Sequence, residues 1–276
     1  MPTPQSTTWD PDRYLRFADQ RGRPFQDLIA RIGVLAPARV VDLGCGPGNA
    51  TELLVERWPD ALVVGLDNSA EMIEAAQKHA RPRHLEFRRA DLRDWSTDEP
   101  VDVLVTNATL QWVPGHLDLL PRLLEQVAPG GWFAMGVPGN FGAPSHTLLT
   151  ELQHSERWAD HFTGAEFRPA SHDPAEYLHA LTDAGARAEV WETTYFYVVD
   201  GENGVLDFVS STALRPVLAE LGGASTVPAQ DFTAAYADAL RVAYPPTKLH
   251  GRTVQILPYR RIFAVARKPA AASGSS

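Results

Sequence analysis

The sequence has little cysteine, little positive charge and no long apolar run. One cysteine among 276 residues cannot form an internal disulfide, so a disulfide-stapled secreted scaffold is excluded. Lys and Arg total 25 against 34 Asp and Glu, and the formal net charge of -9 disfavours broad attraction to nucleic acid or to anionic membranes. No stretch approaches the length of a transmembrane helix, and the start lacks the basic and apolar regions of a signal peptide. These deficits predict a cytoplasmic protein that binds a small molecule and neither nucleic acid nor membrane.

The composition is otherwise that of a globular protein. Hydrophobic residues make up 44% of the chain and charged residues 21%, which predicts that most of the chain packs around a core. We expect a single domain over residues 1–276, because α/β folds of this length commonly form one core with insertions. The Ala/Ser/Gly-rich tail at 269–276 is predicted to be disordered.

Strand-like and helix-like segments alternate between residues 39 and 138. Such alternation predicts a parallel sheet covered by helices on both faces. A turn at Pro129-Gly130-Gly131 is predicted to separate the last helix of this region from the fifth strand. The rest of the chain is predicted as a helical arm at 8–32 interrupted at 21–24, an insert at 139–172, a helix and sixth strand at 173–199, a helical cap insert at 200–255 and a last strand at 256–268.

A glycine-rich turn, Asp42-Leu43-Gly44-Cys45-Gly46-Pro47-Gly48-Asn49, lies between the first strand and the next helix. Such a turn brings backbone N–H groups close to a ligand, with a helix N-terminus behind them. Gly44 and Gly46 fit the dinucleotide fingerprint, but Asn49 stands where Gly or Ala is expected. Asp42 favours a positive ligand and would repel a pyrophosphate. The turn therefore favours an adenosine that carries a cationic group over NAD.

Two further acids stand at strand ends after the turn. Asp67 closes the second strand, where a carboxylate can bind both hydroxyls of a ribose. The alternative for Asp67 is a helix N-cap role, which Ser69 could fill instead. Asp91 follows the third strand, where a carboxylate can accept a hydrogen bond from an adenine amino group. Met72 and Leu92 could cover the two ring faces, with core packing as the equal alternative.

As a set, these residues resemble the class I S-adenosylmethionine-dependent methyltransferases. The resemblance covers residues 40–138 and implies a Rossmann-like α/β fold with a seven-stranded sheet, parallel except for an antiparallel last strand, a helical N-terminal arm and a helical insert between strands six and seven. It implies S-adenosyl-L-methionine as cofactor and S-adenosyl-L-homocysteine as its product. Asn107 corresponds to the position that faces the methyl group, and the following Ala108-Thr109-Leu110 lacks the Pro-Pro-Tyr pattern of enzymes that methylate DNA amino groups. The cofactor-binding residues predicted on this basis are Asp42, Gly44, Gly46, Asn49, Asp67, Asn68, Met72, Asp91, Leu92, Asn107 and Gln111.

Five further segments, most of them outside this common core, resemble the trans-aconitate 2-methyltransferase family. They span nearly the whole chain, and several lie in the arm and the inserts, so this resemblance is more specific than the glycine turn. It implies that one carboxylate of trans-aconitate, a planar tricarboxylate, becomes a methyl ester. The segments that carry it are 9–17, 21–24, 107–112, 191–195 and 214–216.

The acceptor implied by this resemblance is a tricarboxylate. It should be bound by cationic side chains and should not need a base to remove a proton. A carboxylate with a pKa near ~4 is already ionised at neutral pH, so we expect in-line displacement without a general base and catalysis by placement. Bidentate arginines and tyrosine hydroxyls suit the other carboxylates. An exposed arginine is more often solvated and a strand tyrosine more often packed. The candidate substrate-binding residues are Tyr14, Arg23, Trp112, Tyr195, Arg215, Tyr259 and Arg260.

Three rival functions stay open on the sequence. A methyltransferase for another small carboxylic acid or a natural product would keep the core and change the pocket. A non-catalytic protein that binds S-adenosylmethionine would keep residues 42–91, whereas a nicotinamide dehydrogenase is opposed by Asn49 and Asp42.

No metal site is predicted, and we expect a monomer. The histidines that cluster after the core are predicted to be packed or solvated, because their spacing matches no metal signature. These histidines are His146, His154, His161 and His172.

Overall fold

The computed structural model describes residues 18–162, 170–210 and 212–270, and its central feature is a mixed sheet. In this part of the chain the sheet has eight strands: β1 Arg39–Leu43, β2 Leu62–Asp67, β3 Leu85–Arg89, β4 Val101–Asn107, β5 Val127–Pro138, β6 Arg187–Asp200, β7 Thr247–Leu249 and β8 Arg252–Arg267. Seven of them lie in the order β3-β2-β1-β4-β5-β8-β6, and β7 pairs with β8 off this path. The first five strands are parallel, and β8 is antiparallel to β5. The predicted fold class is confirmed.

The strand order reverses between β1 and β4, which lie side by side with Leu43 opposite Thr106. In open α/β sheets ligands bind beyond the carboxyl ends of the strands at such a reversal. The central strand β4 has Val103, Leu104 and Val105 fully buried, as expected for a parallel strand covered on both faces. The core therefore holds the ends of β1 and β4 in fixed register.

Most of the helices lie in predicted helical segments, with shifted ends, but the helix Pro144–Gln153 lies in the 139–172 insert, where no helix is predicted. They are α1 Ala18–Ala30, α2 Glu52–Arg57, α3 Ala70–Ala76, α4 His116–Glu125, α5 Pro144–Gln153, α6 Pro174–Asp183, α7 Gly204–Ser210, α8 Leu214–Glu220 and α9 Val227–Ala243. The predicted break of the arm at 21–24 is wrong, because α1 continues through Pro24. Burial of Phe25, Leu28 and Ile29 on one face of α1 stabilises the helix despite the proline. No helix among the described residues is long and apolar enough to cross a membrane.

Two local features differ from the sequence prediction. Pro129-Gly130-Gly131 lies inside β5 and not in a turn before it, because the strand begins at Val127 and bulges between its pairings with Val101 and Val103. Gly130 supplies the positive φ of 81° that this bulge needs. Strand β7 is not predicted from the sequence, and it forms a hairpin with β8 through a two-residue loop in which both residues have positive φ.

The chain divides into two compact units. The core unit contains residues 22–139, 170–193 and 261–270 of the described chain, and so holds the parallel strands and the glycine turn. The insert unit contains residues 18–21, 140–162, 194–210 and 212–260, which include α5, α7, α8 and α9. Strands β6 and β8 each contribute residues to both units.

Candidate active site

The glycine turn after β1 is tightly folded against its neighbours. Gly44 has a φ of 79°, and its N–H donates to the Leu66 carbonyl at 2.7 Å. A Cβ on Gly44 would lie 2.1 Å from the Thr109 hydroxyl oxygen, which itself donates to the Gly44 carbonyl at 3.2 Å. Gly46 has a φ of 55° and nothing within 4 Å of its Cβ position. Steric contact with the loop after β4 therefore requires glycine at 44, and backbone geometry favours it at 46.

Asp42 is a buried carboxylate at the base of the turn. Its exposed fraction is 2%, and one oxygen accepts a hydrogen bond from the Thr51 hydroxyl at 2.7 Å. Burial raises the pKa of Asp42 to about 6, the Thr51 bond partly offsets this, and the charge of Asp67 adds to the rise. A cationic ligand at this position would favour the ionised form of Asp42.

Asp67 is oriented by two backbone N–H groups. One carboxylate oxygen accepts from Gly46 at 3.0 Å and the other accepts from Ser69 at 2.9 Å. The N-cap role that competed for Asp67 belongs to Ser69, whose hydroxyl accepts from the Met72 N–H at the start of α3. Each oxygen of Asp67 keeps further acceptor capacity, which is what a pair of ribose hydroxyls requires.

Asp91 is held by the side chain of Arg93. The Nε of Arg93 lies 3.0 Å and 3.1 Å from the two carboxylate oxygens, and this hydrogen bonding holds the pKa of Asp91 below its usual range. An adenine amino group would share these oxygens with Arg93. Leu92 is buried in the apolar core cluster, while Met72 is half-buried.

The loop after β4 is strained and partly unsatisfied. Ala108 has a φ of 55°, which is uncommon outside glycine and is held by its N–H bond to the Gly136 carbonyl at 2.8 Å. Gln111 is 5% exposed and donates to the Ala108 carbonyl at 2.7 Å, while its Oε1 is buried without a partner. Strain and unsatisfied polar atoms of this kind are concentrated at binding sites.

Asn107 at the end of β4 is bonded to a residue that the sequence analysis passed over. Its side-chain oxygen accepts from Arg261 Nη2 at 2.6 Å, and the guanidinium of Arg261 is buried. A Cβ on Gly136 would lie 2.7 Å from the same oxygen, so glycine leaves room for this contact. In the sequence, Arg260 and Arg261 are adjacent on a predicted strand, so their side chains point to opposite faces of the sheet. Which of the two is buried depends on the register of β8, and the sequence does not show that register.

The remaining cofactor candidates, Asn49 and Asn68, are exposed in the core unit. Among the substrate candidates, this unit contains Arg23, which is exposed on α1, and Trp112, which is 47% exposed in a short 3-10 turn after β4. The prediction for Tyr14 lies outside the described residues.

The insert unit contains the other four substrate candidates, two of which are tyrosines in one aromatic cluster. Tyr195 stacks on Tyr197 with ring centroids 6.1 Å apart, and Tyr197 lies 5.7 Å from Tyr259. Arg215 is half-buried near the start of α8, and Arg260 follows Tyr259 on β8. Tyr195 and Tyr259 thus belong to a common cluster.

The histidine His146, which follows the core, is poorly suited to act as a general base. Burial lowers the pKa of His146 to about 4, so this side chain is neutral at pH 7 and a poor base. In the part of the chain that the structure describes, no three His, Cys, Asp or Glu side chains group together as a metal site.

The fold and the turn define the class of protein. A family model described as "Methyltransferase domain" matches residues 40–131, which include the turn, Asp67 and Asp91. The YcgJ protein of Bacillus subtilis has the same fold, with a TM-score of 0.57 at 12% identity over 90% of this chain and 99% of that one. The buried acid at 42 and the glycine cradle fit a cationic adenosine, so the chain is an S-adenosylmethionine-dependent methyltransferase.

Full-length relatives narrow this class to one family. The trans-aconitate 2-methyltransferase of Streptomyces avermitilis is 52% identical over 270 residues, covering 95% of this chain and 98% of the relative. The trans-aconitate 2-methyltransferase of Rhodococcus jostii RHA1 is 48% identical over 262 residues, covering 94% and 99%. The chain belongs to the trans-aconitate 2-methyltransferase family.

Proposed function

We propose that this protein transfers the methyl group of S-adenosylmethionine to one carboxylate of trans-aconitate and releases a monomethyl ester. The observation that carries the proposal is the 52% identity to a trans-aconitate 2-methyltransferase across 95% of the chain, which includes both inserts as well as the common core. The net charge of -9 further supports a free small molecule as substrate and no nucleic-acid partner, and we propose a cytoplasmic monomer.

The cofactor is proposed to lie along the edge formed by the glycine turn, Asp67 and Asp91. Asp42 compensates the positive charge of the ligand, and Asp67 binds the ribose hydroxyls with oxygens already oriented by Gly46 and Ser69. Asp91 accepts from the adenine amino group. The supporting residues are Gly44, Asn49, Asn68, Met72, Leu92, Asn107 and Gln111.

The reaction is proposed to need no general base. S-adenosylmethionine supplies a methyl group bonded to a sulfonium, which leaves as a neutral thioether. An acceptor carboxylate is ionised at neutral pH, so no proton has to be removed before the new carbon–oxygen bond forms. The protein's part is to hold the acid in place through cations and hydroxyls, and orientation alone supplies a large share of the rate. The residues proposed for this part are Tyr14, Arg23, Trp112, Tyr195, Arg215, Tyr259 and Arg260.

A screen of carboxylic acids with methyl-labelled S-adenosylmethionine tests the proposal. Label is expected in a product one methyl heavier than trans-aconitate, and hydrolysis in mild alkali should release that label as methanol. Turnover of a different acid, with none of trans-aconitate, would contradict the substrate. Tight cofactor binding without turnover of any acid would instead favour a non-catalytic binding protein.

A further inference from the structure

Strand β8 carries one arginine, Arg261, whose guanidinium is buried. Its exposed fraction is 6%, its Nη2 donates to the neutral amide of Asn107, and its Nε is buried with no hydrogen-bond partner. No acid in the described ranges forms an ion pair with it. A guanidinium stays charged at any physiological pH, and a buried charge without a counter-ion is costly.

The register of strands β4, β5 and β8 in the core unit brings Arg261 close to Asn107. Asn107 pairs with Gly136 across β4 and β5, and Gly136 pairs with Phe263 across β5 and β8. Arg261 lies two residues before Phe263, so both side chains lie on one face of the sheet, and Arg261 reaches diagonally past the missing side chain of Gly136.

Aromatic packing rigidifies this face. Phe263 stacks on Trp191 with ring centroids 5.2 Å apart, and the guanidinium of Arg31 lies 5.0 Å from the Trp191 ring. Arg261 itself is 6% exposed, and burial away from water strengthens any charge–charge contact that its guanidinium makes.

We propose that Arg261 binds a carboxylate of the acceptor acid that does not receive the methyl group. This inference rests on the proposed function. Arg261 donates to Asn107, the residue at the strand end that the family resemblance assigns to the methyl group, so an anion at Arg261 lies beside the reacting end of the acceptor. The Nε of Arg261 has no hydrogen-bond partner, and its Nη2 is bonded to a neutral amide, so the positive charge of the guanidinium is not balanced by either contact. A carboxylate can accept two parallel hydrogen bonds from a guanidinium and carries the opposite charge.

The test compares Arg261→Met with Arg267→Met, which removes an exposed arginine from the same strand. Arg261→Met is expected to raise KM for trans-aconitate about 30-fold or more, since a buried charge-assisted contact is lost. Its affinity for S-adenosyl-L-homocysteine, measured by calorimetry, should change less than about 2-fold, and its Tm should not fall, because methionine fills the space without a buried charge. Arg267→Met should change neither KM nor the affinity, and the loss of its exposed hydrogen bond to the Gly130 carbonyl should lower Tm only slightly.

Three outcomes overturn the assignment. An unchanged KM for trans-aconitate would show that Arg261 does not bind the acid. An equal loss of S-adenosyl-L-homocysteine affinity would assign the guanidinium to the carboxylate of the cofactor. A lower Tm with every affinity reduced would show a merely structural role.

The same variants separate this inference from the proposed function. If the wild-type protein methylates another carboxylic acid but not trans-aconitate, the substrate is wrong, and a raised KM for that acid in Arg261→Met still supports Arg261. If the wild-type protein loaded with S-adenosyl-L-homocysteine binds no di- or tricarboxylic acid by calorimetry, both proposals fail.

Discussion

The glycine turn of the core unit and the aromatic cluster of the insert unit hold their candidate residues in different ways. In the turn, backbone groups do the positioning: Gly46 and Ser69 fix Asp67, and Gly44 closes against Thr109. In the cluster, whole side chains pack on one another, as Tyr195 does on Tyr197. A glycine at positive φ with no room for a Cβ tolerates no substitution, whereas stacked side chains can be exchanged for others of similar shape. We therefore expect replacement of Gly44 to abolish cofactor binding and changes in the insert unit to alter the choice of acid.

The largest effect is expected from Gly44→Ala. The new methyl group would lie 2.1 Å from the Thr109 hydroxyl at a φ of 79°, so the turn must open, at a cost of about 3 kcal/mol or more in the free energy of unfolding. Calorimetry should show no binding of S-adenosyl-L-homocysteine. Gly46→Ala is the matched control, because nothing lies within 4 Å of its Cβ position, and it should cost only about 1 kcal/mol. Equal destabilisation by the two variants would refute the steric argument.

The next largest effect is expected from Asp67→Ala. Loss of a charged acceptor for two hydroxyls should weaken cofactor affinity about 100-fold, measured by calorimetry. Ser69→Ala is the comparison, since it removes the N-cap of α3 and should lower stability by about 1 kcal/mol with little change in affinity. A larger loss of affinity in Ser69→Ala than in Asp67→Ala would reverse the two roles.

A smaller and more selective effect is expected in the insert unit. Arg215→Ala should raise KM for trans-aconitate about 10-fold, because a contact to a carboxylate is lost, and leave KM for the cofactor within about 2-fold. Arg241→Ala removes a half-buried arginine on α9 of the same unit that pairs with Asp238, and it serves as the control in steady-state kinetics. Equal rises in both KM values would remove Arg215 from the substrate site.

The smallest effect is a pH dependence set by Asp42. Because its folded pKa is raised to about 6, the neutral acid predominates below pH 6 and the charge that attracts a cationic ligand is lost. Affinity for S-adenosylmethionine should therefore rise as pH increases from 5 to 7, by about 10-fold at most. Asp42→Asn should flatten this profile, and an unaltered slope in that variant would place the titration on another group.

The stability of the cofactor-free protein should change with pH in the opposite direction to its affinity for the cofactor. A carboxyl whose folded pKa lies above its unfolded value of 3.8 stabilises the free protein below that value, and this contribution is lost as pH rises from about 4 to about 6. The cofactor-free protein should thus lose stability between about pH 4 and about pH 6, a window that overlaps the lower half of the one in which cofactor affinity increases. Denaturant unfolding at several pH values checks this, with Asp42→Asn as the reference.

Sequence patterns predicted the alternating strands and helices well, because each depends on residues that are close along the chain. Both Asp67 and Ser69 fit a helix N-cap by residue type and position, and only the hydrogen bond from the Met72 N–H shows that Ser69 is the cap. Pro24 was misleading because tertiary burial of α1 outweighs the local cost of a proline. Strand β7 was not foreseen, since three exposed residues show no burial pattern.

The sequence by itself determined the class of ligand: a strand, a glycine turn with a buried acid and a second acid at the next strand end are local features whose chemistry is visible in the residue types. Only the tertiary structure decided what lies beside Asn107, because Arg261 is 154 residues away along the chain. The antiparallel register of β8 on β5 brings the two together, and a shift of one residue would turn Arg261 to the opposite face. Such pairing is set by the packing of the whole sheet, and no local pattern encodes it.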